Sequence, residues 1–318
     1  MKILCLSAGI LFADVGCAPI DHAPVPGELI HTESIELSLG GCASNVSINL
    51  AKLEIPTGLV GCVGDDAFSD FILDSLENPL VDISGVRRVE NSCPGCSMIV
   101  NVRNEDRRFV SVPGANSQLA VEDVPQAWTD EAKVLYLGGY LMLERLESPD
   151  TVEYFKAFQE RGGKTILDVV LHGDRPYWSA LEPLLPYVDY FMPNDDEGYA
   201  ISGMKDPVDQ AKMFTDAGAK TCIITLGDKG SIYYSADEKF RADIFRTDFV
   251  GGTGSGDAFD AGLVAALLNG CDAYESVRRA TAQGMSCVRH SSATQSVFTK
   301  RELEEFLDGR ELKTTPLK

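Results

Sequence analysis

Short apolar runs alternate with segments of helical periodicity along most of the sequence, and this alternation constrains the fold more than any other feature. The runs read as strands, and the segments between or after them read as helices. Such alternation is typical of the α/β class, in which a mostly parallel sheet is covered by helices on both faces. The predicted strands are 2–7, 57–64, 134–140, 164–170, 188–194 and 221–227, and the predicted helices are 43–53, 67–76, 150–161, 206–217, 256–269 and 272–289.

Two early segments break this pattern. Residues 12–39 combine several prolines with an alternating polar and apolar run, and residues 97–112 read as two strands around a polar turn. Both lie near the start of the chain, so they are expected to pair into a small β-flap. The sequence thus predicts one domain over 1–318, with lid strands drawn from about 12–39 and 97–112.

Charge and cysteine content limit the partners and the compartment. The net charge of −20 would repel nucleic acid and anionic lipid, so we expect neither a nucleic-acid nor a membrane partner. Nine irregularly spaced cysteines do not form a disulfide framework, and they favour reduced thiols in the cytoplasm. The apolar start of the chain is interrupted by Gly9 and Asp14, which favours a buried first strand over a secretory signal.

The stretch "DFVGGTGSGDAFDAG", residues 248–262, places a cluster of glycines directly before a helical pattern. Glycines at a helix start permit close backbone approach, and the free amides there form an anion site. A Walker loop is excluded because no lysine follows, and the spacing fits a dinucleotide fingerprint poorly. Asp257 could merely complement the helix dipole, but that alternative does not explain the glycines.

Three further stretches have both a functional and a purely structural interpretation. "LGGCASNVSINLAKL" (39–53) is either a polyhydroxyl-ligand loop or a tight turn with a capping Asn45. "MPNDDEGYAISG" (192–203) places Asn194 and Glu197 on one helical face, which suits hydrated magnesium or an ordinary helix cap. "IITLGDKGSIYY" (223–234) is either a nucleotide-binding turn or a simple hairpin.

Taken in order, these stretches resemble the ribokinase-like, or phosphofructokinase-B type, family of carbohydrate and nucleoside kinases. The resemblance extends to about residue 298 and also includes "VGCVGDDAF" and "RRFVSVPGAN". It implies a Rossmann-like ribokinase fold with a β-flap lid, and an ATP- and Mg²⁺-dependent phosphotransferase acting on an alcohol of a sugar or sugar derivative. A nucleoside kinase and a non-catalytic sugar-binding regulator are the alternatives.

The resemblance also implies a role for individual residues. Asp257 matches the catalytic base, and the amides of Gly254, Ser255 and Gly256 match the anion hole. The other matched positions are Asn194 and Glu197 for magnesium and phosphate, Thr225 and Gly227 for the nucleotide, and Asp14, Gly41 and Asn45 for the substrate, with Arg108 of the lid hairpin reaching toward it.

Some positions depart from the family pattern. Gly251-Gly252-Thr253 replaces a common Asp-Thr-Thr, Ser255 replaces a usual Ala, and "HSSATQS" stands where Gly-Ala is frequent. Two of these loops hold a monovalent cation in the family, so potassium activation is in doubt. The stretch "LDVVLHGDRPYW" adds Asp168, Asp174 and Arg175, of which Arg175 is a candidate for binding an acidic sugar. The exposed edge of the lid strands predicts a homodimer through them.

Overall fold

A computed structural model describes residues 1–103, 105, 108–173 and 175–317. Every predicted strand and helix overlaps an element of the structure, with ends displaced by a few residues. The strands are β1 Cys5–Gly9, β2 Phe12–Cys17, β3 Ile35–Gly40, β4 Thr57–Val63, β5 Val81–Arg88, β6 Gly95–Val100, β7 Arg108–Val112, β8 Val134–Gly138, β9 Lys164–Leu167, β10 Tyr190–Phe191, β11 Thr221–Thr225, β12 Ser231–Ser235, β13 Lys239–Ala242 and β14 Thr314–Pro316. The α-helices are α1 Cys42–Lys52, α2 Ala67–Ser75, α3 Gln126–Glu131, α4 Pro149–Glu160, α5 Trp178–Leu181, α6 Asp195–Ser202, α7 Pro207–Asp216, α8 Ser255–Leu268, α9 Ala273–Cys287 and α10 Lys300–Leu307.

The main sheet has ten strands in the order β14-β13-β12-β11-β10-β9-β8-β1-β4-β5. Neighbouring strands run parallel from β5 through β4, β1, β8, β9 and β10 to β11. Strands β12, β13 and β14 add an antiparallel edge. The predicted fold class, a mostly parallel sheet with helices on both faces, is therefore confirmed. Because parallel strands end at the same edge, the loops after β1, β8, β9 and β11 lie close together.

Large apolar side chains fill the space between this sheet and its helices. Tyr136 of β8, Phe155 of α4 and Phe191 of β10 are fully buried. The ring of Phe191 packs edge-on against Phe214 of α7, with centroids 4.9 Å apart. Burying a side chain of this kind stabilises the fold by about 1.5–3 kcal/mol. The strands that position the site therefore rest on a continuous core.

The end of the chain corrects one expectation. The last few residues read as a loose tail in the sequence, yet Thr314–Pro316 pairs antiparallel with β13. The prediction was wrong because so short an edge strand has too few residues to show a two-residue period. None of the helices in the described ranges combines the length and apolar character that crossing a membrane requires.

A second, four-stranded sheet is formed by β3-β2-β6-β7. Its strands come from the two segments predicted to form the lid, although positions 104, 106 and 107 of the second segment lie outside the described residues. Residues that are paired across neighbouring strands form a row of side chains on one face, and the next row lies on the other face. One row joins Ser38, Asp14, Ser97 and Ser111, and the neighbouring row on the opposite face joins Leu37, Val15, Met98 and Val110. The lid sheet thus has a polar row and an apolar row on opposite faces.

Candidate active site

The start of α8 is built around Gly254. This residue has φ +75°, and a Cβ at this position would lie 2.3 Å from the Cβ of Ala293, so only glycine fits without rearrangement. Ser255 Oγ donates a hydrogen bond of 2.9 Å to the carbonyl of Gly252, which closes the turn. The Ser255 amide also donates to that carbonyl, at 3.2 Å. One of the three amides assigned to the anion hole therefore already has an acceptor.

Gly256 differs from Gly254 in its surroundings. Apart from its chain neighbours and the backbone of its own helix, no heavy atom of the described residues lies within 4 Å of the position that a Cβ on Gly256 would take. The residue is exposed in the first turn of α8, where backbone N–H groups have no intrahelical acceptor. Packing does not require a glycine here, yet a glycine leaves the space in front of the helix open to a ligand.

Asp257 lies in the same turn and is half-buried. Asn45 of α1 donates its Nδ2 hydrogen to Asp257 Oδ2 at 2.8 Å, although 212 residues separate the two in sequence. Burial raises the pKa of the Asp257 carboxyl, and the hydrogen bonds from Asn45 and Cys42 lower it. The buried Asn45 Oδ1 has no hydrogen-bond partner among the described residues.

Asp14 lies on the polar row of the lid. Burial raises the pKa of its carboxyl to about 6; a hydrogen bond with Ser97 lowers it, and the charge of Asp257 raises it further. The Asp14 carboxylate packs against Gly40: a Cβ on Gly40 would lie 2.0 Å from Asp14 Oδ2. The next residue, Gly41, has φ +91° and precedes α1. The Asp14 and Asp257 carboxylates are therefore close enough to repel one another, one from the lid and one from α8.

Asn194 and Glu197 form a reciprocal cap at the start of α6. The Asn194 amide donates to Glu197 Oε2, and the Glu197 amide donates to Asn194 Oδ1, both at 2.9 Å. This geometry is that of an ordinary helix cap, one of the two interpretations of this stretch of the sequence. Burial raises the pKa of the Glu197 carboxyl to about 7, and the charge of Asp257 raises it too. Glu197 is thus another carboxylate whose charge interacts with that of Asp257.

The remaining predicted residues lie on separate elements. Thr225 ends β11 and donates its amide to the carbonyl of Pro193 at 3.1 Å, which joins it to the Asn194 turn. Gly227 is exposed with φ +57° and open space around it. Arg108 is exposed at the edge of the lid and forms an ion pair with Glu105. The expected reach of Arg108 toward the substrate stays a prediction.

Arg175 is also already paired. Its guanidinium binds Glu147 and donates to the carbonyl of Leu141 at 2.8 Å, and it lies over the ring of Tyr177. The guanidinium thus has an acidic partner within the protein, and the expected role of Arg175 in binding an acidic sugar stays a prediction. Asp174, from the same stretch, lies outside the described residues.

A buried acidic cluster behind Asp257 was not predicted. Ligand atoms of Cys42, Asp168 and Asp257 lie within 4.8 Å of one another. Tyr136 Oη donates to Asp260 Oδ2 at 3.0 Å and lies 3.4 Å from Asp168 Oδ2. Burial raises the pKa values of both Asp168 and Asp260; the charge of Asp260 raises that of Asp168 further, and the charge of Asp257 raises that of Asp260. The signal in the sequence was Asp260, a second charged residue in an otherwise apolar helix.

Comparison with known proteins identifies the family of the chain. Residues 3–300 match the family model described as pfkB family carbohydrate kinase. The chain is 28% identical over 290 residues to a ribokinase from Haemophilus influenzae, covering 89% of this chain and 92% of the relative. It is 26% identical over 302 residues to a deoxyribokinase from Salmonella typhi, covering 92% and 94%. The structure of Arabidopsis thaliana ribokinase complexed with ribose and ATP is similar, with a TM-score of 0.83, 25% identity and coverage of 96% and 99%.

Proposed function

Because the chain belongs to the pfkB family of carbohydrate kinases, which are phosphotransferases acting on sugar hydroxyls, we propose that it transfers the γ-phosphoryl group of ATP to an alcohol of a sugar or sugar derivative. The observation that carries the proposal is the position of Asp257 in the first turn of α8, with Asn45 donating to its carboxylate. A carboxylate at this point can remove a proton from a hydroxyl that attacks a phosphate held by the helix amides.

The start of α8 supplies what phosphoryl transfer requires. Negative charge spreads over the oxygens of the transferring group, and fixed N–H donors stabilise it. The open space in front of Gly256 admits that group, and the turn through Gly254 fixes the direction of the amides. Asp257 accepts the proton from the substrate hydroxyl, while Asn45 keeps the carboxylate oriented.

The substrate is expected between α8 and the lid. Asn45 Oδ1 is a free acceptor for a sugar hydroxyl, and Asp14 offers a carboxylate from the lid side. Gly41 has φ +91° and packs against the backbone of Ile10, where a Cβ would lie 2.4 Å from the carbonyl oxygen, so a glycine is needed there to start α1 beside the proposed substrate. These groups recognise hydroxyls and not a charge, which agrees with a neutral sugar as the acceptor.

The nucleotide and its metal are expected on the other side of Asp257. Thr225 and Gly227 would contact ATP, the ligand present in the Arabidopsis relative. Glu197 and Asn194 provide the oxygen ligands that Mg²⁺ prefers, and a cation there would offset the repulsion between the Glu197 and Asp257 carboxylates. Bound Mg²⁺ would neutralise phosphate charge, and Glu197 would hold it through water.

The lid provides the basis for the assembly proposal. Its apolar row leaves Met98 57% and Val110 67% exposed, which is unusual for side chains aligned on one sheet face. A second copy of the chain would cover this row and pair the exposed strand edge. We therefore propose a homodimer through the lid strands.

A coupled ADP-release assay tests the proposed activity. Purified protein with ATP and Mg²⁺ is screened against pentoses, hexoses, keto-acid sugars and nucleosides, with Asp257→Asn as the matched control. Turnover with a free sugar supports the proposal, and turnover confined to nucleosides establishes the alternative kinase. Sugar binding by calorimetry without ADP release from any acceptor would instead identify a non-catalytic sugar-binding protein.

A further inference from the structure

Lys52, in the last turn of α1, binds three backbone carbonyls of one loop. Its Nζ donates to the oxygens of Thr294, Gln295 and Val297 at 2.5, 3.1 and 3.1 Å. The side chain is half-buried, and burial lowers the pKa of its ammonium. Three carbonyl oxygens that point at one place repel each other unless a cation lies between them. The Lys52 ammonium therefore holds this loop, residues 291–297, in its observed shape.

The 291–297 loop in turn contacts the start of α8. Ala293 packs against Gly254 so closely that any Cβ on residue 254 would overlap its side chain. The Cys287 thiol lies 3.3 Å from the carbonyl oxygen of Thr253 and 3.4 Å from that of Ala293. The loop and the glycine turn thus meet directly at Gly254 and Ala293, and the Cys287 thiol joins a carbonyl oxygen of each.

An apolar cluster joins the same elements on the other side of the loop. Val297, whose carbonyl binds Lys52, is buried with Cys287 of α9 and Ala258 of α8. Ala258 directly follows Asp257 in the chain. A shift of the loop would therefore change both the packing of Gly254 and the support behind Asp257.

We propose that Lys52 is a positioning residue for the anion hole, acting as a tethered monovalent cation that fixes the 291–297 loop against the turn at Gly254. This inference rests on the proposed function. The same helix carries Asn45 at its other end, where it binds Asp257. Helix α1 thus holds the base directly and the anion hole through the loop.

Replacing the ammonium separates this role from simple packing. Lys52→Met keeps the length of the side chain but removes the charge and the three hydrogen bonds. Hydrogen bonds to a charged group contribute about 1.5–3 kcal/mol, so we expect kcat to fall by about tenfold to a hundredfold. The KM for the sugar should change only about twofold, because the hydrogen bonds of Asn45 and Asp14 are made with Asp257 and Ser97 and not with the loop.

Two variants control for charge and for location. Lys52→Arg retains a cation with several donors and should restore kcat to within about threefold of wild type. Lys300→Met removes a nearby exposed lysine that pairs with Glu54, and it should leave kcat unchanged. A Lys52→Met protein with wild-type kcat, or an equal loss in Lys300→Met, would overturn the inference.

Chemical rescue provides a sharper test of the tethered cation. In Lys52→Ala the vacated space can admit a small cation, so ammonium or methylammonium should raise kcat by about tenfold over sodium at equal ionic strength. No response to either amine would contradict the role of the charge. If Lys52→Met does not fold, Lys52→Gln replaces it; failure of both to fold would make Lys52 a structural residue only.

Hydrogen exchange distinguishes failure of this inference from failure of the proposed function. Faster exchange at the amides of residues 253–257 in Lys52→Met than in wild type supports the positioning role without any turnover. Unchanged exchange there refutes it, even if the wild-type protein is an active kinase. An absence of ADP release from wild type with every acceptor would refute the kinase instead.

Discussion

The two walls of the candidate site are built in different ways. The α8 wall is closed by contacts within the chain: Gly254 against Ala293, and Asn45 on Asp257. The lid wall presents its polar row toward Asp257 and leaves an apolar row uncovered on its other face. The contacts that hold Asp257 thus lie within the chain, whereas the apolar row of the lid is largely exposed. Substitutions in the first wall should therefore change the chemistry, and those in the second should change binding and assembly.

The largest effect is expected at Asp257. Asp257→Asn preserves size and the contact with Asn45 but removes the proton acceptor, so kcat should fall by roughly 10²–10⁴-fold. Nucleotide affinity should change only a few-fold, because the amides of α8 remain in place. Steady-state kinetics together with nucleotide titration measure both quantities.

The alternative role for Asp257 gives a different result. An aspartate that only complements the helix dipole contributes about 0.3–1 kcal/mol to stability and nothing to turnover. An Asp257→Asn protein that turns over within a few-fold of wild type would thus show that the mechanism proposed here is wrong.

The two glycines of the α8 turn should respond in opposite ways to alanine. Gly254→Ala introduces a Cβ against Ala293 at a positive φ, so we expect a loss of about 1–3 kcal/mol in the free energy of unfolding. Gly256→Ala meets open space within a helix and should be neutral or stabilising by up to about 1 kcal/mol. Its methyl group would nevertheless project into the space proposed for the phosphate.

Kinetics and denaturation together test this pair. We expect Gly256→Ala to lower kcat by about tenfold or more while unfolding at the same or higher denaturant concentration. An alanine at Gly256 that leaves kcat unchanged would place the phosphate elsewhere. The comparison needs no other control, because each variant adds the same single methyl group.

The sequence predicted the central strands and the α8 turn because both depend on local pattern. Apolar runs identified β4, β8 and β11, and the clustered glycines identified the start of α8. The contacts of Lys52 with residues 294–297 and of Tyr136 with Asp260 could not be predicted, since they join positions more than 100 residues apart. The pairing of Arg175 with Glu147, 28 residues away in the sequence, could not be predicted from the local pattern either.

Asp14 is expected to make sugar binding depend on pH. Its pKa is raised to about 6, so the carboxylate is ionised above that pH and accepts hydrogen bonds from hydroxyls. As pH falls through about 6, protonation should weaken binding by roughly three- to tenfold, measured by calorimetry from pH 8 to 5. Asp14→Asn should bind weakly across this range; pH dependence unchanged in that variant would assign the effect to another group, such as Asp257.

Ionisation of Asp14 is expected to favour sugar binding but to lower the stability of the fold. A carboxyl whose pKa is higher in the folded than in the unfolded state destabilises the fold when ionised, and the cost disappears as pH falls through about 6. Asp14→Asn should thus unfold at higher temperature than wild type at pH 8, by an amount worth at most about 3 kcal/mol. An Asp14→Asn protein less stable than wild type at pH 8 would mean that the charged form is stabilised in the lid.

The smallest effect on turnover is expected at the apolar row of the lid. Met98 and Val110 face each other across β6 and β7, so Met98→Lys with Val110→Lys places two charges where a second copy would pack. Sedimentation at micromolar concentration should show a dimer for wild type and a monomer for the variant, while Leu29→Lys, at an exposed loop position, stays dimeric. Because Asp14 and Ser97 lie on the other face, kcat should stay within about twofold, and the KM for the sugar should rise only a few-fold as the lid loses support. A monomeric wild type, or a variant that remains a dimer, would show that the apolar row is not the interface, and a large loss of kcat would show that the lid contributes to the chemistry and not only to binding.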